Sequence, residues 1–185
     1  MKYLVIAGSL NPNSRSRILA EVACQALEPM EASVDWMDLA KTPLPLCDGD
    51  TVYEDPQVIQ IADRVKQADG ILIAVPIYNY DINAAVKNLI ELTGSAWSHK
   101  VVGFLCAAGG EASYMSVMNI SNGLMLDFRC LIVPRFVYAT AAAFGEEGLT
   151  DAKVRELIEQ LVRELHRLCS ALSGPEGRLD PLTGT

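Results

Sequence analysis

Positive charge is scarce in this chain: 15 lysines and arginines stand against 23 aspartates and glutamates, a formal charge of −8 over 185 residues. That field repels a polyanion, and no basic stripe interleaved with aromatics offsets it, so nucleic acid is excluded as an expected partner. Histidine is scarcer still. His99 and His166 lie far from any cysteine cluster, and no metal site is expected. The five cysteines, Cys24, Cys47, Cys106, Cys130 and Cys169, are odd in number, include no Cys-x-x-Cys pair and mostly fall in apolar segments. This is the pattern of reduced thiols in a cytoplasmic protein rather than of a disulfide frame. No apolar run approaches the ~20 residues of a membrane span, and the chain opens on a strand rather than on a basic region with a long apolar stretch. A cytoplasmic protein without a membrane partner is expected.

Several chemical signatures are missing too. No Gly-x-Gly-x-x-Gly follows the first strand, which argues against a dinucleotide held by the Rossmann fingerprint, and no Gly-x-x-x-x-Gly-Lys-[Ser/Thr] offers a triphosphate loop. Ser-His-Asp, paired-carboxylate and Cys-His constellations are likewise absent, so no catalytic acid, base or nucleophile stands out. What is present is apolar bulk: 50% of the side chains are hydrophobic. That suffices for one well-buried core, and one domain is expected over residues 1–174, with 175–185 a disordered tail.

The opening carries the strongest positive signal. Lys-Tyr-Leu-Val-Ile at residues 2–6 reads as a strand, residues 7–16 as a polar loop, and helical spacing resumes at Ile18, Leu19, Val22, Ala23 and Leu27. The loop holds Ser9, Asn11, Ser14, Arg15 and Ser16, and the helix N-terminus adds unpaired N–H groups and the positive end of its dipole. Hydroxyls, a guanidinium and free N–H groups together suit a phosphate. The spacing from Ser9 to Arg15-Ser16 resembles the cradle of low-molecular-weight tyrosine phosphatases, but a serine stands where those enzymes need a cysteine thiolate. The loop is therefore expected to bind phosphate without attacking it. Ser14 or Ser16 capping a helix, with Arg15 on the surface, is the purely structural alternative.

The rest of the chain alternates strands and helices. Residues 33–37 read as a second strand, 42–56 as a long loop, and Asp55-Pro56 as the capped start of a helix carrying Val58, Ile59, Ile61, Ala62 and Val65 inward. Residues 71–75 are continuously apolar, as in a strand buried on both faces. A helix over 83–93, a strand over 101–106, a helical segment over 114–128, a strand over 131–133 resuming after Pro134, and a long amphipathic helix from Val154 to Leu168 complete the order. Such alternation predicts an α/β, doubly wound, three-layer sandwich around a five-stranded parallel sheet in the order 2-1-3-4-5. On such sheets the loops after strands 1 and 3 meet at the switch in strand order, where ligands bind; FMN in flavodoxin sits at such a point.

The loops at that place carry Pro76-Ile77-Tyr78-Asn79 followed by Val86-Lys87-Asn88, and the fourth strand runs into Ala107-Ala108-Gly109-Gly110. With Gly8-Ser9-Leu10 and Ser14-Arg15-Ser16, these three motifs in order resemble the NAD(P)H-dependent FMN reductase family, flavodoxin-like proteins that include quinone, azo-dye and chromate reductases. The resemblance covers roughly residues 2–170, judged from the order of strands and helices. It implies FMN held by Ser9, Asn11, Ser14, Arg15 and Ser16 at its phosphate. Pro76, Ile77, Tyr78 and Asn79 would lie along one edge of the flavin ring, with Ala108, Gly109 and Gly110 near its pyrimidine end. The flavin would carry the chemistry, NADPH or NADH would reduce it, and a small-molecule electron acceptor would reoxidise it by a ping-pong route.

Asn11 stands where many members of that family have a basic residue, and Tyr80 where many have glycine. A homodimer or homotetramer is also expected, with the apolar residues around Ile90–Trp97 and Leu124–Phe128 available to an interface. Tyr78, Tyr80 and Tyr114 could serve either that interface or the flavin. Two other functions remain open: a flavodoxin-type electron carrier without a productive NAD(P)H site, and a flavin-free module using the same phosphate cradle.

Overall fold

Burial on both faces selects parallel pairing here. Tyr3 to Ala7 and Ile71 to Val75 are buried without a break, and such strands need a helix layer on each side. The computed structural model describes residues 1–173; the expected tail at 175–185 lies outside the described residues. The elements run β1 (Lys2–Ala7), α1 (Arg15–Leu27), β2 (Ser33–Asp38), α2 (Pro56–Gln67), β3 (Gly70–Tyr78), β4 (Asp81–Ile82) and α3 (Ala84–Thr93). They continue with β5 (Val101–Ala108), α4 (Met118–Phe128), β6 (Leu131–Ile132), β7 (Val137–Thr140), β8 (Phe144–Gly145), β9 (Gly148–Leu149) and α5 (Ala152–Leu172).

The main sheet is ordered β2-β1-β3-β5, with β6 and β7 both paired in parallel to β5 as one interrupted edge. This is the expected 2-1-3-4-5 with its last strand split. Val101 and Val102 face Leu131 and Ile132, whereas Leu105 to Ala108 face Val137 to Thr140, so the edge strand gains two residues between the segments. Pro134 lacks an N–H for the ladder, and Arg135 sits at φ +61, which together release the chain before it rejoins.

Successive residues of each strand point to opposite layers. Tyr3, Val5, Leu72 and Leu105 meet Leu19, Ala23 and Leu27 of α1 and Ile158, Leu161 and Leu165 of α5. Leu4, Ile6, Ile73 and Phe104 meet Ile61 and Val65 of α2, Val86 and Leu89 of α3, and Leu124 of α4. Wholly buried leucines and isoleucines contribute roughly 1.5–3 kcal/mol each, and this drives the closure of both layers.

Three expectations need correction. The helix placed over 114–128 begins only at Met118, after a single 3-10 turn over Glu111–Ser113. The third strand runs on through Pro76 to Tyr78 and folds back as a hairpin with β4, and the hairpin of β8 and β9 was not foreseen. The apolar segment ending at Trp97 is no free surface: Trp97 is fully buried and its Nε1 donates to Thr93 Oγ1 at 2.7 Å.

Candidate functional site

The C-terminal ends of β1, β3 and β5 converge on an open concavity of about 490 Å³, within the ~300–1,000 Å³ usual for ligand pockets. Its first wall begins where β1 ends. Gly8 donates to Ala74 O at 2.8 Å, and a Cβ there would lie 2.4 Å from Val86 Cγ2 and 2.8 Å from Ala74 O. Only glycine lets the chain pass between β3 and α3. Ser9 Oγ then accepts from Asn11 N–H at 3.2 Å, and Asn11 O accepts from Ser14 N–H at 3.2 Å. Ser14 is the N-cap of α1, extended at φ −78° and ψ 145°, with its Oγ accepting from Arg17 N–H at 3.3 Å. The Ser14 and Ser16 hydroxyls are 3.2 Å apart. The helix cap read from the sequence is present, and it stands at the concavity itself, because Ser14, Arg15 and Ser16 at the start of α1 line it.

Arg15 is exposed at the mouth, and its guanidinium lies 5.9 Å above the Phe144 ring of β8, a cation–π contact that limits its motion. Arg17, two positions on, faces inward. It grips Asp38 at the end of β2 with two hydrogen bonds of 2.6 Å each. Asp38 also accepts from Ala40 N–H at 3.0 Å, and the Arg17 guanidinium holds its carboxyl below the usual carboxylate range. The pair is internally neutral, so Arg15 is the cation left for a ligand. Asn83, just before α3, adds a second brace: its Nδ2 donates to Gly8 O at 2.6 Å.

The second wall is the end of β3. Pro76, Ile77 and Tyr78 line the concavity, and Asn79 and Tyr80 turn the chain with φ +52 and +66. Positive φ at both positions is the geometry of the type I′ hairpin. A glycine enters that region freely, whereas Tyr80 holds it at a cost of roughly 1 kcal/mol.

The third wall is bare. Ala107, Ala108 and Gly109 line it, and a Cβ on Gly109 or Gly110 would meet nothing within 4 Å. Neither glycine has a positive φ, so neither backbone conformation nor packing demands glycine there. What the missing side chains leave is room beside the backbone. Tyr138 OH donates to Gly110 O at 2.6 Å, and Tyr114 packs on Phe136 and Tyr138 at centroid distances of 4.9 and 5.5 Å.

Nine of the twelve residues singled out by sequence thus line one concavity: Asn11, Ser14, Arg15, Ser16, Pro76–Tyr78, Ala108 and Gly109. Ser9, Asn79 and Gly110 stand immediately behind or beside it, in hydrogen-bonded turns. Sequence reasoning missed Arg17, Asp38 and Asn83. An aspartate closing a strand and an arginine one turn into the neighbouring helix were visible, but nothing in the sequence brings them together.

Among the described residues, no histidine, cysteine or carboxylate lines the concavity. Cys106, close behind it, is fully buried and desolvation pushes its thiol far up, which leaves it inert. The donor set fits FMN: N–H groups, hydroxyls and one arginine at a phosphate-sized end, an apolar strand edge, and bare glycines where a planar ring can approach.

The chain as a whole is similar to known proteins. The family profile described as NADPH-dependent FMN reductase matches residues 1–145. An NAD(P)H-dependent FAD/FMN reductase of Geobacillus thermodenitrificans is 32% identical over 94% of this chain and 97% of its own length. An NADPH azoreductase of Bacillus sp. is 27% identical, across 89% of this chain and 90% of the other. Among solved structures, a flavoenzyme NAD(P)H:(acceptor) oxidoreductase of Paracoccus denitrificans shares the fold with a TM-score of 0.75, at 20% identity over 92% of this chain and 97% of that one.

Proposed function

Because the chain belongs to the NADPH-dependent FMN reductase family, we propose that it passes reducing equivalents from NADPH or NADH through FMN to a small acceptor such as a quinone, free flavin or azo compound. One observation carries this reading. A single concavity joins a helix N-terminus and Arg15 at one end to the bare Gly109 backbone at the other, and among the described residues no histidine, cysteine or carboxylate lines it. Such a site depends on a bound group for its chemistry. FMN, when bound, supplies acceptance of reducing equivalents from the nicotinamide and their delivery to the acceptor.

The protein's part is to bind, orient and expose. Arg15, the Ser14 and Ser16 hydroxyls and the first N–H groups of α1 hold the phosphate, while Ser9 and Asn11 shape that loop. Pro76, Ile77 and Tyr78 support one edge of the ring, and Asn79 sets the turn that ends it. Ala108, Gly109 and Gly110 admit the other edge. Residues 1–174 act as one flavin-binding unit, working in the cytoplasm; all five cysteines are free thiols.

The same surface calls for a second copy of the chain. Tyr78 lines the concavity and is exposed, as are Tyr80 beside it in the hairpin turn, Tyr114 and Met115 beyond Gly110, and Met118, Met125 and Leu126 on α4. Large apolar side chains in that number around a shallow site are covered economically by a homodimer or homotetramer.

The test is an anaerobic NADPH titration of the FMN-reconstituted protein, following visible absorption. Bleaching at one equivalent per flavin supports the reductase. Tight binding that neither NADPH nor NADH bleaches identifies an electron carrier instead, and absence of FMN binding leaves a flavin-free phosphate module.

A further inference from the structure

Asn83 behaves unlike an ordinary helix cap. It occupies the N-cap position of α3 with extended backbone at φ −69° and ψ 148°, yet its side chain makes no capping hydrogen bond. A capping asparagine would aim Oδ1 at the N–H of the second or third helical residue. Here Nδ2 reaches across to Gly8 O at 2.6 Å, bridging 75 positions of sequence, and Oδ1 is buried without a partner. The residue is 6% exposed. A buried bare acceptor is unfavourable by about 1–3 kcal/mol, so the local preference of α3 has been overridden in favour of the contact with the loop.

The effect of that contact follows from peptide geometry. The Gly8 carbonyl and the Ser9 N–H belong to one planar trans unit and point in opposite directions. Fixing the carbonyl on the Asn83 side fixes the Ser9 N–H on the opposite side, away from Asn83. Gly8 N–H, in the preceding peptide unit, is tied to Ala74 O, so the units on both sides of the Gly8 Cα are anchored. Ser9 N–H itself finds no acceptor among the described residues. Donation to the Gly8 oxygen also polarises the unit and strengthens its N–H as a donor.

We propose that Asn83 is a positioning residue for the phosphate-binding loop, trading the cap of α3 for orientation of the Ser9 N–H toward the anion. The inference rests on the reading above that this loop takes the FMN phosphate. It links the two ends of the ligand site, because the residue that follows the Asn79-Tyr80 hairpin also braces the turn after β1. Its signature is selectivity for the phosphate itself, since riboflavin presents the same ring without that group.

The experiment compares wild type with Asn83→Ser, which retains a good cap, adds no charge and is too short to reach Gly8. FMN and riboflavin are titrated separately by quenching of their fluorescence, and the melting temperature of the flavin-free protein is recorded. FMN affinity should fall about tenfold, equivalent to about 1.4 kcal/mol, with riboflavin affinity and melting temperature unchanged. Equal loss for both flavins, or no loss for either, overturns the proposal. Should Asn83→Ser fold poorly, Asn83→Gly, also a fair cap, takes its place with the same expected split. If wild type binds FMN no better than riboflavin, the phosphate reading of the loop fails and takes this inference with it. If wild type discriminates and Asn83→Ser discriminates equally, the inference alone fails.

Discussion

The loop after β1 and the loop after β5 face each other across one concavity and are built on opposite plans. The first is held by buried polar contacts: Gly8 is bonded through both N–H and C=O, Ser14 caps α1, and Arg17 grips Asp38 behind it. The second is held by one hydroxyl on Gly110 O and an aromatic stack, with Met115 and Met118 exposed beyond it. A phosphate is small, charged and invariant, so binding it benefits from dipoles fixed in advance. A ring that must admit successive partners benefits from a wall that leaves space.

Breaking the bracing gives the largest expected effect. Arg17→Ala leaves the nearly buried Asp38 carboxylate unpaired and should lower unfolding free energy by about 3–5 kcal/mol in a urea titration. A loss below about 1 kcal/mol would show that the two loops are not held so differently. Filling the bare wall comes next. Gly109→Val should leave thermal stability within about 0.5 kcal/mol, because its side chain enters open space, while weakening FMN binding by more than about tenfold in a fluorescence titration. Equal binding by the variant would mean that the ring does not approach there.

The pH dependence sharpens the same contrast. Asp38 is depressed in the folded state, so its contribution is present above the unfolded value of about 3.9 and is lost as pH falls through the lower folded value. The stability gap between wild type and Asp38→Asn, on the order of 1 kcal/mol, should therefore be full at pH 7 and close below about pH 4; thermal melts across that range decide it. The smallest effect belongs to the aromatic stack. Tyr114→Leu should cost roughly 0.5–1 kcal/mol and leave FMN affinity within about twofold, measured by melting and by flavin quenching respectively.

Much of this was legible in the chain itself. The apolar run at residues 2–6 announced a strand, the one at 71–75 a strand buried on both faces, and Asp55-Pro56 its helix, because these signals are local and the helix and strand periods differ. Ser14-Arg15-Ser16, Pro76–Tyr78 and Ala108-Gly109 were legible as neighbours in one concavity because each lies at a strand's C-terminal end or in the loop beyond it, on the side where the sheet's strand order switches. The start of α4 was misplaced, since Tyr114 to Val117 are compatible with a helix until tertiary contacts pull Tyr114 onto Phe136 and Tyr138. Trp97 was misassigned to a surface because hydrophobicity alone does not distinguish a core from an interface.

The sequence by itself determined the order of the main strands and helices, the switch point of the sheet and the three loops that surround it, since those depend on short-range periodicity and on the chirality of the connections. Only the tertiary structure decided that Arg17 is neutralised by Asp38 and Arg15 is not, that Gly8 must be glycine while Gly109 need not be for the fold, and that Asn83 leaves α3 uncapped to hold a loop 75 positions earlier. Each of these is settled by distances between residues remote in the chain, where hydrogen-bond geometry and excluded volume act over a few ångströms and sequence separation carries no information.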